Sequence, residues 1–236
     1  MDRLDEHLRW LIAAPIYACA YAVAALVFWQ MARRRGMAMD GIARVMAAGL
    51  IGGLAGANLL QLLATGLPGK TIEGGILGGW LAVIWMKHRL GITRPTGDLF
   101  ALALPAGEAI GRIACFVGGC CYGKVASVAW ALHDHNGWRH PAQLYSSVGA
   151  ALCFALLYWV ARRCPLPENG LFYLGGILFC IDRFAIDFYR DVGLTPLGVT
   201  VAQVACAGGA IFFAFKFSRL MFGQPVRIPN WTHVSP

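Results

Sequence analysis

Residues 10–32 read WLIAAPIYACAYAVAALVFWQMA, without one Asp, Glu, Lys or Arg. A charge-free run of this length can cross the hydrocarbon layer as a single helix, which takes about 20 residues. Residues 45–69, 141–161 and 192–215 are charge-free stretches of the same kind. Three further apolar stretches are interrupted: residues 71–86 by Glu73, residues 99–118 by Glu108 and Arg112, and residues 169–189 by Asp182, Arg183 and Asp187. The pattern predicts an all-α fold, a polytopic integral membrane bundle of seven transmembrane helices forming one domain over residues 1–236.

Composition supports that reading. Of 236 residues, 14% are charged and 58% hydrophobic, whereas soluble domains run at about 25% charged. Too few charges are present to solvate a globule, and too many apolar residues for a disordered chain. The net charge of +8 does not indicate nucleic acid, because the basic residues sit in loops between spans and not on an aromatic-rich soluble face. The first ten residues mix both signs, so no removable signal peptide is expected.

Loop charges orient the bundle. Arg33, Arg34, Arg35, Arg44, Lys87, Arg89, Arg94, Arg162, Arg163, Lys216, Arg219 and Arg227 fall on one side if there are seven spans. The positive-inside rule makes that side cytoplasmic, with the N-terminus outside and the C-terminus inside. Residues 124–140 then face the exterior, and Trp130 and Trp138 read as interfacial anchors.

Ionisable residues inside the apolar layer face the bundle interior and are paired or functional. Glu108 and Arg112 are spaced i, i+4, and Arg183, Asp187 and Arg190 are spaced i, i+4, i+7, so each set shares a helix face. Either set could be intrahelical ion pairing alone. Guanidinium groups here also suit a phosphate, because the planar fork donates two parallel hydrogen bonds to an anionic head group. After Arg112 come Gly118, Gly119 and Gly123, with Gly111 before it. These glycines argue against a continuous helix and for backbone close to a ligand.

Of eight cysteines, Cys115, Cys120 and Cys121 lie in this glycine-rich stretch beside Arg112. A neighbouring guanidinium raises a thiol's thiolate fraction, so Cys120 or Cys121 is a candidate reactive thiol, as an acyl or glyceryl carrier or a redox pair. His133, His135 and His140 follow. However, the C-x4-C-C spacing lacks paired metal-ligand geometry, and no metal or other cofactor is expected. An external disulfide is the more natural expectation, although adjacent Cys120 and Cys121 cannot bond to each other without strain.

The chain resembles the prolipoprotein diacylglyceryl transferase family from about Tyr17 to Gln203. The strongest element is the signature beginning at Gly111 and Arg112 and continuing through Phe116, Gly119 and Gly123. Residues 139–145, Arg-His-Pro-Ala-Gln-Leu-Tyr, are similar to the family's Arg-His-Pro-Ser-Gln-Leu-Tyr run, and residues 183–190 to its Arg-Phe-x-x-Glu-Phe-x-Arg. Tyr17 with Tyr21, Gly74 with Gly75, Asp98 with Pro105, and Gln203 have counterparts. Cys115, Gly118 and Cys120 stand where the signature has Asn, Asn and Glu. Glu73 replaces a histidine before the paired glycines, and Asn58 replaces an arginine after Gly56 and Ala57.

The resemblance implies a seven-span enzyme of the bacterial plasma membrane, its site facing the periplasm, that moves diacylglycerol from phosphatidylglycerol onto the lipobox cysteine of a prolipoprotein signal peptide. Arg112 and Arg183 would hold the phosphate, Tyr17 would line the cavity, and Gly111, Gly119, Gly123, Arg139, Gln143 and Arg190 would complete the substrate site. His140 and Glu73 are candidate bases, and Cys120 a candidate catalytic thiol. Two alternatives stay open: a related phospholipid-dependent transferase with another acceptor or an enzyme thiol, and a non-catalytic lipid-binding or thiol-redox protein.

Overall fold

The computed structural model describes residues 2–67, 71–134, 137–195 and 197–223, without the side chains of residues 2–6, 64, 65, 72, 73 and 134. Arg227 and His135 lie outside the described residues. Seven helices follow in order: α1 (Asp2–Arg34), α2 (Met39–Thr65), α3 (Ile72–Arg89), α4 (Gly97–Val117), α5 (Ala142–Arg163), α6 (Gly170–Ile186) and α7 (Val201–Phe222). Five carry stretches long and apolar enough to cross a membrane: His7–Arg34, Met39–Leu63, Gly97–Val117, Ala142–Arg163 and Val201–Phe222. The other two helices, α3 and α6, are 18 and 17 residues long. Leu11, Ile51, Leu63, Leu104, Leu152 and Ile211 stand exposed on helix surfaces. That is the apolar exterior of a protein solvated by lipid.

The described residues form two compact units, 28–95 and 2–27 with 96–223. In the first, α2 lies against α3 through glycines spaced i, i+4 on each helix. A Cβ on Gly56 would strike the Gly74 carbonyl and the Gly78 Cα, and one on Gly78 would strike the Gly52 carbonyl. Only glycine permits this backbone contact, the small-xxx-small packing of membrane helices. Thr71 caps α3 by accepting from the Gly74 N–H at 3.2 Å.

In the second unit α4 packs on α5 and α6, and α6 packs on α5 and α7. Fully buried Asp98, at the start of α4, accepts from the backbone N–H groups of Asn169 (2.9 Å) and Phe172 (2.8 Å). A carboxylate from another helix thus caps α6, satisfying donors that a helix N-terminus leaves unpaired. The charge-free stretch over 192–215 turns helical only at Val201, where Thr200 and Gln203 form a reciprocal capping box. Before it, the Thr195 N–H and hydroxyl both donate to the Val199 carbonyl, and Gly198 takes φ 75°.

The loop between α4 and α5 departs from the all-helical expectation. Leu132–Asp134 and Gly137–Arg139 pair as an antiparallel hairpin, β1 and β2. Asn136-Gly137 is a hairpin signal in the sequence. The hydropathy reading passes over it because the strands are short and polar.

Candidate functional site

Helix α4 ends at Val117. Beyond it the chain turns through Gly119 (φ 68°) and Cys121 (φ 58°), both in the left-handed region. The Cys120 N–H donates back to the Cys115 carbonyl at 3.1 Å, and the Gln143 side chain donates to the Cys120 carbonyl at 2.7 Å. A Cβ on Gly119 would lie 2.8 Å from Nη1 of Arg9, so that guanidinium crosses close over the turn. Glycine is required again at Gly123, where a Cβ would collide with the His140 and Tyr189 carbonyls.

The backbone after the turn is strapped on both sides. Gly123 N–H donates to His140 O (3.1 Å), His140 N–H to Lys124 O (3.0 Å), and Lys124 N–H to Tyr189 O (2.8 Å). Arg139 binds the Gly123 carbonyl (3.1 Å) and Asp191 (2.7 Å), its guanidinium over the Tyr122 ring. This ladder brings the cysteine turn beside the end of α6. Gly119, Cys120, Cys121, Tyr122, Arg190 and Asp191 line an open cleft of about 550 Å³.

Glu108–Arg112 and Arg183–Asp187 pair at the expected helical spacing, whereas α6 ends at Ile186 and Arg190, bridged to Gly123, meets Asp187 from beyond the helix and not from a shared helix face. Arg112 donates from Nε and Nη2 to one oxygen of Glu108, at 3.1 and 2.9 Å, which leaves its Nη1 unused by that pair. Asp187, 1% exposed, is approached by Arg183 at 3.0 Å and Arg190 at 3.4 Å. Its second oxygen accepts from Thr200 at 2.5 Å. Arg183 lies within electrostatic reach of both Arg190 and Arg112. Arg190, rather than Arg183, lines the cleft beside the cysteines.

Other predicted residues take supporting positions. Tyr17 on α1 sets its hydroxyl 3.1 Å from Sγ of Cys115. His140 pairs through Nδ1 with the Tyr145 hydroxyl at 3.2 Å and stands edge-on to Tyr189. Gly111 faces Ala20 across the α1–α4 contact and has no close approach to the turn. Glu73 lies in the first turn of α3, which begins at Ile72, and its side chain lies outside the described residues. Trp130 and Trp138 are exposed, and Trp130 donates to the Tyr145 hydroxyl at 2.7 Å.

Two contributors carry no sequence signal for their role. Asp182, noted only as an interruption, packs against Gly149 of α5 within reach of Glu108, Arg112 and Arg183. Thr200 reaches Asp187 from the start of α7.

The three thiols of the C-x4-C-C segment come together in space. All three cysteines are free, and their sulfurs lie within 4.8 Å of one another. Two left-handed residues, Gly119 and Cys121, fold this segment back on itself. Hydrogen bonds from Cys115 and Cys120, followed by the Arg190 and Arg112 charges, hold the Cys121 thiol below its ordinary pKa. Cys120 is pushed up by its bonds to Cys115 and Cys121 and by burial.

A family model described as prolipoprotein diacylglyceryl transferase matches residues 8–218. Three proteins bearing the name phosphatidylglycerol–prolipoprotein diacylglyceryl transferase are similar to the chain. That of Geobacter sulfurreducens is 30% identical over 207 residues, covering 78% of this chain and 79% of its own. That of Idiomarina loihiensis is 29% identical over 225 residues, covering 83% and 82%. That of Photobacterium profundum is 27% identical over 250 residues, covering 92% and 91%.

Proposed function

Since the chain belongs to the prolipoprotein diacylglyceryl transferase family, we propose that it transfers a diacylglyceryl group from phosphatidylglycerol to the cysteine thiol of a prolipoprotein. The observation that carries this reading is Arg190 lining the open cleft beside the cysteine turn, with the Arg112 charge also acting on Cys121. The acceptor thiolate attacks the terminal glycerol carbon of the diacylglyceryl group, the carbon–oxygen bond breaks, and its electron pair leaves on glycerol phosphate. Fixed guanidinium groups lower the barrier by meeting the negative charge that develops on the departing phosphate.

The three arginines are balanced by Glu108, Asp182 and Asp187. A lipid phosphate is therefore held by exchange: Nη1 of Arg112 and the solvent-facing side of Arg190 engage it, while Glu108 and Asp187 keep both forks oriented. Arg183, 11% exposed, adds charge from behind. Gly119 and Gly123 let the turn approach the lipid, with Gly111 in the supporting helix. Tyr17, Arg139 and Gln143 hold the turn, and His140 takes the acceptor's proton. In this reading residues 1–236 form one domain of seven spans in a bacterial plasma membrane. The N-terminus and the site face the periplasm and the C-terminus the cytoplasm, which the distribution of Lys and Arg supports.

Purified protein incubated with phosphatidylglycerol vesicles and a lipobox peptide should yield a thioether-linked diacylglyceryl peptide and an equal amount of glycerol phosphate. Neither product would end the proposal; lipid attached to the protein itself would redirect it to an enzyme thiol as acceptor.

A further inference from the structure

Phosphate binding leaves the three clustered thiols without a task. Cys115, Cys120 and Cys121 come from the last turn of α4 and the loop after it, yet their sulfurs all lie within 4.8 Å of one another and none is bonded to another. Thiolates sharing one zinc ion at about 2.3 Å stand about 3.8–4.0 Å apart, so a small contraction would bring these sulfurs to ligand spacing. The convergence is held in place by the Gln143 bond to the Cys120 carbonyl, the Cys120 N–H bond to Cys115 O, and the Tyr17 hydroxyl on Cys115 Sγ. Cys121 sits at φ 58°, a left-handed conformation strained for a non-glycine residue, and such strain persists at sites which need the geometry. The Arg112 and Arg190 charges act on Cys121 and offset the negative charge that three thiolates bring together. Cys120 and Cys121 also line the cleft, so one side of the cluster is open.

We propose that Cys115, Cys120 and Cys121 bind one Zn²⁺ and leave its fourth position open to the cleft, where the acceptor thiol coordinates. Three protein ligands and one open position is the arrangement of a catalytic zinc, while a structural site closes all four. Soft thiolate donors select zinc over hard cations. A thiol that coordinates zinc gives up its proton, which supplies the nucleophile for S-alkylation. The acceptor thiol gives its proton to His140, the base named above, and its sulfur forms a bond to the glycerol carbon. The carbon–oxygen bond breaks with its electrons on glycerol phosphate, and the neutral thioether, a weaker ligand than a thiolate, leaves the metal. No electron is gained or lost, so no oxidant is involved. The catalytic role rests on the transfer reaction proposed above, whereas the metal site stands on the thiol geometry.

The test uses the full chain purified in detergent and exposed to Zn²⁺, then desalted, with metal content measured by mass spectrometry. About one zinc per chain is expected in the wild type and in Cys19→Ser, with at least a tenfold loss in Cys115→Ser, Cys120→Ser and Cys121→Ser. Circular dichroism of each variant checks that the helices persist. Replacement by Co²⁺ should produce thiolate-to-metal charge-transfer absorption that the three variants lack. A wild type that retains no zinc while all three thiols alkylate freely overturns the proposal, as does a Cys115 disulfide to Cys120 or Cys121 in protein as isolated. Transfer to a lipobox peptide is followed in parallel. Undiminished transfer by zinc-free protein overturns the metal's role and leaves the reaction standing. Stoichiometric zinc with no transfer upholds the metal site and refutes the reaction.

Discussion

Replacing Asp187 by Asn removes one charge and almost no volume, yet it should be among the most damaging single changes in the chain. The carboxylate is 1% exposed and is met by Arg183 at 3.0 Å, Arg190 at 3.4 Å and Thr200 at 2.5 Å. Removing one member of a buried pair costs about 3–5 kcal/mol, because the partner charge is left uncompensated. Here the guanidinium groups are 11% and 14% exposed and Asn keeps an acceptor for Thr200, so a discounted figure of roughly 2–4 kcal/mol is appropriate. At about 2–4 °C per kcal/mol for a chain of this size, detergent-solubilised Asp187→Asn should melt about 4–16 °C below the wild type. Activity should fall with it, since Arg190 loses the anchor that fixes it at the cleft. The internal comparison is Asp191→Asn. Asp191 meets Arg139 at 2.7 Å but is 51% exposed, and a solvated pair contributes less than about 1 kcal/mol. Equal melting temperatures for the two variants, or an Asp187→Asn protein as stable as the wild type, would refute the argument from burial.

Arg112→Lys keeps the charge and loses the fork, so kcat/KM for phosphatidylglycerol should drop by about 10–100-fold, the loss of roughly 1.5–3 kcal/mol of charge-assisted hydrogen bonding, with helix content unchanged; wild-type kinetics would remove the phosphate clamp. Gly56→Leu forces α2 from α3 at the Gly74 carbonyl and should destabilise by at least about 1–3 kcal/mol, read as a lower melting temperature, whereas a variant at exposed Gly36 with nothing nearby tests only its left-handed φ. Asp98→Ala strips the cap from α6, leaving the Asn169 and Phe172 N–H groups without their carboxylate; a loss of about 1–2 kcal/mol is expected, seen as faster hydrogen exchange in the first turn of α6.

Much of the architecture was legible because membrane solvation acts on composition. A stretch without charges must either leave water or be covered, and the first, second, fourth, fifth and seventh helices each contain one window that is apolar enough by itself. The pairs Glu108–Arg112 and Arg183–Asp187 were equally legible, since the helical period alone puts those side chains side by side. The signature that begins at Gly111 and Arg112 runs on into the turn whose Gly119, Cys120, Cys121 and Tyr122 line the cleft, and its cysteines marked the departure from the family pattern.

What the linear chain could not reveal depends on residues far apart in sequence. Asp98 on the α6 N-terminus, Gln143 on the Cys120 carbonyl and Thr200 on Asp187 are all buried polar contacts whose partners are chosen by helix packing. The meeting of three sulfurs follows from two left-handed residues and a backbone ladder, neither of which a spacing rule encodes. Sequence therefore determined which helices are long and apolar enough to cross a membrane and which charges pair within a helix, because those effects are local; tertiary structure decided which groups face one another across the site, because only packing can bring distant polar atoms within hydrogen-bonding reach.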